Sequence, residues 1–339
     1  MVTSEEDRRT KAAPSEDALN AARLIAGLRR RRAACVRHWP RGLTLALRRA
    51  ERARRPMPLR AGRPSAERLP FWLVVPWRLD EAYRSPRSAR ASFLADALWG
   101  QYCLFQCIRL QDDVFDGHTT DLALVYASDQ FLIEAERAFR KHFRRSSRFW
   151  GVFWQAFEST TQAIVHVDEM QKSVGCDPAT LARQYAKVGS VLKIGTTAVC
   201  LGHRRPGDLA ALGRLADDVA MGDQILDDLE DVADDLGHGR FNYVAQRICR
   251  RRSGPARSGP EEARRAIARA LAVDDGAGQV LGDARRYFDR AAATAEGLRI
   301  PALIALPAAG RRAVDDLQRA FHRAQVKVVL APVLAGARR

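Results

Sequence analysis

The chain has 339 residues, 47% of them hydrophobic, and a formal net charge of +16. That length supports one large domain or two ordinary ones, and the recurring apolar residues exclude a chain that is disordered throughout. Six scattered cysteines without a CxxC pair exclude a disulfide scaffold and zinc-finger spacing, and read as reduced thiols of a cytoplasmic protein.

The basic excess lies at the start. Residues 1–68 hold 18 Lys and Arg against 7 Asp and Glu, whereas the remainder holds 38 against 33. This stretch reads as an Arg-rich arm, partly disordered or helical, with helices expected at 16–33 and 41–55. Contact with an anionic membrane surface is the functional expectation for it, and nucleic acid is not expected as a partner. Residues 69–339 read as the catalytic domain, and removal of residues 1–60 is expected to leave that domain folded. The polar N-terminus "MVTSEEDRRTK" has no apolar signal region. The apolar runs "FWLVVPW" and "IPALIALPAAG" are too short to span a bilayer.

From about residue 90 the apolar residues recur every three or four positions, which predicts an all-α chain. Helices are expected at 89–116, 120–143, 147–171, 178–202, 207–236, 240–251, 260–272, 277–296 and 308–328. Breakers such as "GHTTD", "GCDP", "GHRRPGD" and "GHGR" separate them. The stretch 251–260, "RRSGPARSGP", reads as a mobile loop.

Two of these helices carry the chemistry. Along "QYCLFQCIRLQDDVFDGH", Leu94, Leu98, Gln101, Phe105, Ile108, Asp112 and Asp116 form one stripe. An apolar, core-facing stripe thus ends in two carboxylates, with Asp113 beside them. Buried carboxylates are costly unless paired or metal-bound, and Asp112 and Asp116, one turn apart, can reach the same cation. The second helix, "GDQILDDLEDVADDLG", places Asp223, Asp227, Asp231 and Asp234 on a narrow arc. Like charges four apart repel, and no Lys or Arg lies between Arg214 and Arg240 to neutralise them. Two D-D-x-x-D motifs on separate helices, with oxygen ligands and no His or Cys, select Mg²⁺, which bridges to phosphate oxygens. A diphosphate substrate is the expectation.

At these residues the sequence resembles the class I isoprenoid synthases, the superfamily of trans-prenyl diphosphate synthases and terpene cyclases. Asp112, Asp113 and Asp116 match the first aspartate-rich motif; Gln224, Asp227, Asp228 and Asp231 match the second. "KVGSVLKIGT" is similar to the segment that carries a diphosphate-binding lysine, here Lys187. "GRFNY" is similar to the G-K-x-T-Y segment, with Arg240 for the lysine and Tyr243 as a hydrogen-bond donor to the diphosphate. The resemblance implies a helical bundle around a deep apolar cavity, with the two motifs facing each other at its mouth. It further implies catalytic and metal-binding roles for the six motif aspartates, with Asp112, Asp116, Asp227 and Asp231 as metal ligands. Three Mg²⁺ ions and a homodimer belong to the same expectation.

Elongating members hold a second substrate, isopentenyl diphosphate, with residues this chain lacks. The upstream stretch reads "RSPRSARAS", Phe105 stands at the histidine position, and "GHTTD" replaces the arginine pair after the first motif. That pattern implies a terpene synthase that ionises and cyclises one allylic prenyl diphosphate. A prenyltransferase, acting with isopentenyl diphosphate or another acceptor, is the alternative. Phe105 and the aromatic run Trp150, Phe153, Trp154 and Phe157 are the expected walls for the carbocation, Trp154 foremost among the run.

Overall fold

The structure is a computed structural model and describes residues 16–53, 69–84, 91–252 and 260–336. The expected mobile loop at 251–260 falls largely outside the described residues, as do most of "RSPRSARAS" and residues 1–15 and 54–68 of the arm. The elements are α1 (Glu16–Arg37), α2 (Arg41–Ala53), α3 (Phe71–Tyr83), α4 (Ala91–Phe115), α5 (Ala123–Arg140), α6 (Arg148–Gln171) and α7 (Pro178–Val188). There follow α8 (Ile194–Gly202), α9 (Leu209–Gly237), α10 (Tyr243–Arg252), α11 (Pro260–Ala272), α12 (Gly276–Leu298) and α13 (Pro301–Gly336). No strand occurs among the described residues, and the all-α expectation holds. None of the described helices is long and apolar enough to cross a membrane.

Local chemistry sets the ends. Ser147 accepts a hydrogen bond from the Phe149 N–H at the start of α6, and Asp177 caps α7 ahead of Pro178. Gly117 and Gly239 take positive φ, +73° and +77°, and turn the chain after the two acidic helices. Helix α3 has no counterpart among the expected helices. It buries Trp72, Leu73, Val74, Val75, Trp77 and Leu79, so it is apolar nearly all round and shows no amphipathic period. Its internal Pro76 reads as a breaker in sequence, but burial overrides that preference.

The helix expected at 178–202 is two helices. A 3₁₀ turn over Gly189–Lys193 divides α7 from α8, and two buried side chains satisfy the backbone groups it frees. The Thr160 hydroxyl accepts from the Val191 N–H at 3.0 Å and donates to the Val188 carbonyl at 3.1 Å. Gln101 accepts from the Gly195 N–H at 2.6 Å and donates to the Val191 carbonyl at 3.3 Å. A Cβ on Gly195 would lie 2.9 Å from the Gln101 side chain, so glycine permits this approach. The one polar residue low on the α4 stripe therefore stitches α4 to the break.

The α4–α5 pair forms one core with Phe131, Phe139, Phe149 and Phe153. The α9–α12–α13 group forms another, in which fully buried Phe288 lies against Gly222 of α9 and Gly310 of α13. Helices α1 and α2 belong to the packed body. Ala21, Ala46, Leu47 and Ala50 are buried. Arg31 pairs with Asp96 at 2.6 Å and lies 5.1 Å from the Trp99 ring centroid; Arg49 pairs with Asp121 at 2.5 Å, and Asp17 with Arg78 at 2.9 Å. Removal of residues 1–60 would expose α4 and α5 and leave Asp96, only 6% exposed, short of one partner. Truncation is expected to lower the thermal midpoint by several degrees, measured by scanning calorimetry. An unchanged midpoint would show that these contacts contribute nothing.

Candidate active site

The α4 stripe runs from the core to the surface. Leu98 and Gln101 are fully buried, and Phe105, Ile108, Asp112 and Asp116 are partly covered. Asp113 points the other way: it is 4% exposed, with the Arg109 Nε at 3.5 Å. Helix α9 repeats the division. Asp227 and Asp231 are exposed, whereas Asp228 is 4% exposed. Each motif thus offers its i and i+4 carboxylates outward and turns the intervening one inward, as a helical period of 3.6 requires.

Asp228 is the node of a buried network. It accepts from the Gln224 amide at 2.7 Å, the Tyr185 hydroxyl at 3.0 Å and the Tyr243 backbone N–H at 2.8 Å. Gln171 donates to Tyr185 at 2.8 Å, and Asn242 donates to the Asp228 carbonyl at 2.8 Å and the Asp235 carboxylate at 2.7 Å. Burial raises Asp228 to about 7 despite three donors that lower it. Gln224 and Asp228 therefore organise the frame by joining α7, α9 and α10.

The two acidic helices meet around Arg240. Its guanidinium donates to Asp116 at 2.6 Å and lies 3.7 Å from Asp168 of α6. The segment that carries it is fixed at both sides. The Arg240 N–H donates to the Asp235 carbonyl at 2.8 Å, and the Phe241 N–H donates to the Gln171 carbonyl at 2.6 Å. Bonding to Asp116 raises the Arg240 pKa. Burial raises Asp112 to about 6, and Asp116 and Asp113 add repulsion. Asp235 is also raised, by burial first and then by Asp231 and Asp116. Asp168, Asp235 and Tyr185 were not picked out from the sequence. A signal for Asp168 existed: Phe157, Ile164 and Asp168 make an apolar stripe that ends in an acid, like that of α4.

The other expected residues lie elsewhere. Lys187 is exposed and lines a groove of about 340 Å³ with Gln155, Glu158, Gln162 and His166. Those four side chains repeat on a different face of α6 from that of Asp168. The Tyr243 hydroxyl donates to buried Asp283 at 3.1 Å, not toward the acidic mouth. Phe105 stacks on Trp72 of α3, centroids 4.4 Å apart at 23°, within an apolar cluster that includes Leu98 and Leu192. Trp150 and Phe153 are core, and Trp154 is 46% exposed on the outer surface, so the aromatic run is no cavity wall. A second groove, about 420 Å³, is lined by Arg214, Asp217, Asp218, Arg290, Ala293 and Thr294.

No protein-family model matches the chain, and comparison with curated proteins gives no match. Solved structures do match. Octaprenyl pyrophosphate synthase from Helicobacter pylori superimposes with a TM-score of 0.63 at 11% identity, over 86% of this chain and 99% of that one. Heptaprenyl diphosphate synthase from Staphylococcus aureus gives 0.67 at 11% identity, over 86% and 98%. Geranylgeranyl pyrophosphate synthase from Corynebacterium glutamicum gives 0.63 at 16% identity, over 90% and 96%. The fold is that of the class I isoprenoid synthases.

The donors at the mouth are carboxylate oxygens, the set that suits Mg²⁺, and a cationic side chain already lies against Asp116. Among the described residues no three His, Cys, Asp or Glu side chains are gathered as a ready metal site. The carboxylates fit the ion in chemistry and need rearrangement to hold it.

Asp228 supplies a test of the frame. Between about pH 4 and pH 7 the folded state holds its proton and the unfolded state does not, so stability falls as pH rises, by up to about 1.4 kcal/mol per unit. Asp228→Asn keeps a neutral hydrogen-bonding group and is expected to flatten that slope in urea titrations across the window. Asp228→Ala leaves the Tyr185 and Tyr243 donors unsatisfied and is expected to cost about 2–4 kcal/mol. An Asn variant with the wild-type slope would contradict the raised value.

Proposed function

We propose that this chain is a magnesium-dependent enzyme of the isoprenoid-synthase type that takes an allylic prenyl diphosphate, releases its diphosphate and transfers the prenyl group. The supporting observation is Arg240, which bonds to Asp116 of α4 and acts by its charge on Asp235 at the end of α9, and so links the ends of the two aspartate-rich helices. The match to prenyl diphosphate synthases over nearly their whole length favours transfer over the cyclisation expected from the sequence. Asp112, Asp116, Asp227 and Asp231 would hold Mg²⁺, which acts as a Lewis acid on the departing diphosphate. Arg240 adds fixed positive charge at the same mouth. Asp113 and Asp228 position the two helices and take no direct part. Phe105, stacked on Trp72, would give the prenyl chain an apolar wall and offers no donor to a second diphosphate.

That wall favours a second reading, cyclisation of a single substrate without an acceptor. A panel of allylic diphosphates, incubated with Mg²⁺ with and without isopentenyl diphosphate and resolved by mass spectrometry, separates the two. Longer diphosphates mark transfer; a hydrocarbon or alcohol formed from the allylic substrate alone marks cyclisation. No diphosphate release under any condition would remove both readings.

Asp112→Ala and Asp227→Ala are each expected to reduce diphosphate release at least about 100-fold while the helical circular dichroism stays near wild type. Turnover should fall as pH drops through about 6, because protonated Asp112 cannot serve as an anionic ligand. Full activity in both variants, or a rate independent of pH from 7 to 5, would oppose the assignment.

A further inference from the structure

Arg240 is bonded to Asp116, one of the carboxylates proposed above to hold the metal. Its guanidinium is bonded to Asp116 at 2.6 Å, lies 3.7 Å from Asp168 and adds a favourable charge to Asp235. It therefore spans α4, α6 and the end of α9. Lys172 pairs with Asp168 at 2.5 Å from the solvent side. Hydrogen bonds from the Arg240 and Phe241 N–H groups and from Asn242 hold the backbone of this segment, so the side chain is the part free to move. The Arg240 side chain is 22% exposed and that of Asp116 18%, which leaves solvent a path to the contact.

We propose that Arg240 is an internal counter-cation that competes with Mg²⁺ for Asp116, so that metal binding becomes tight only when a diphosphate draws the guanidinium away. The inference rests on the functional reading above and deepens it. Without ligand, the guanidinium neutralises facing carboxylates that would otherwise repel, and an arriving divalent cation must displace it. A diphosphate offers the same planar donor a multiply charged acceptor. Arg240 then moves from carboxylate to phosphate and leaves Asp116 open. The order follows from charge: metal alone binds weakly, and metal with diphosphate binds cooperatively.

The test uses the full-length protein, Mg²⁺ and inorganic diphosphate, with calorimetric titration and thermal melts as readouts. In the wild type, Mg²⁺ alone should bind weakly and barely move the melting midpoint, and the two ligands together should bind tightly. Arg240→Gln should lower the metal-free midpoint, bind Mg²⁺ alone about tenfold more tightly and lose most of the cooperativity with diphosphate. Lys172→Gln removes the same formal charge beside Asp168 without touching Asp116, and should bind Mg²⁺ alone as the wild type does. Arg240→Gln with unchanged Mg²⁺ affinity overturns the proposal. Equal tightening in both variants also overturns it, since a general field effect then suffices. If the wild type binds no Mg²⁺ even with diphosphate, the functional reading fails first and the proposal with it.

Discussion

Carboxylates from α4, α6 and α9 gather around Arg240, and their mutual repulsion is the constraint around which the site is built. Burial raises both Asp112 and Asp235, and repulsion adds to it, from Asp116 and Asp113 on Asp112 and from Asp231 and Asp116 on Asp235. In a partly dry site such repulsion is far stronger than in water. The guanidinium of Arg240 offsets it from a segment anchored by backbone hydrogen bonds. The charge is thus delivered by a rigid loop, while the long side chain retains its own freedom. On α9 itself, which has no cation between Arg214 and Arg240, Lys193 pairs with Asp217 and Arg290 with Asp218, while Arg240 reaches the helix at its end, beside Asp235.

The inward aspartates answer a different need. Asp113 and Asp228 are each 4% exposed, and a buried carboxyl is tolerated only where donors meet it. Three donors from three segments converge on Asp228. The α7–α9–α10 junction is thereby set by one side chain, and the outward Asp227 and Asp231 inherit their direction from it. A motif that looks uniform in sequence divides into frame and mouth because neighbouring residues on a helix point about 100° apart. The same logic explains the α7–α8 break, where Thr160 and Gln101 satisfy the groups that a continuous helix would have paired internally.

Beneath the mouth, the Phe105–Trp72 stack makes the region an apolar one. A phenyl ring against an indole offers no donor to a phosphate oxygen. Trp72 comes from α3, which packs with α1 as well, so the N-terminal helices are tied to the character of the interior. The arm's arginines follow suit. Arg31, Arg32 and Arg49 are paired with Asp96, Glu51 and Asp121, and part of the basic excess serves to clamp α1 and α2 in place.

Periodicity alone determined that the chain is all-α, and most helix limits lie within a few residues of those expected, because amphipathic faces repeat every 3.6 residues wherever one side meets a core. The apolar stripe of α4 that ends in Asp112 and Asp116 was legible for the same reason, since spacing alone puts these residues on one face. Helix α3 was not legible, as burial on every side erases the period. The roles of Asp168, Asp235 and Tyr185 depend on contacts between residues far apart in sequence, as does the turn of Lys187 and Trp154 away from the acidic mouth. Which aspartates face outward, and which arginine neutralises them, was decided by tertiary packing. Sequence spacing sets the angle between side chains on one helix, but only the docking of helices decides what stands opposite each of them.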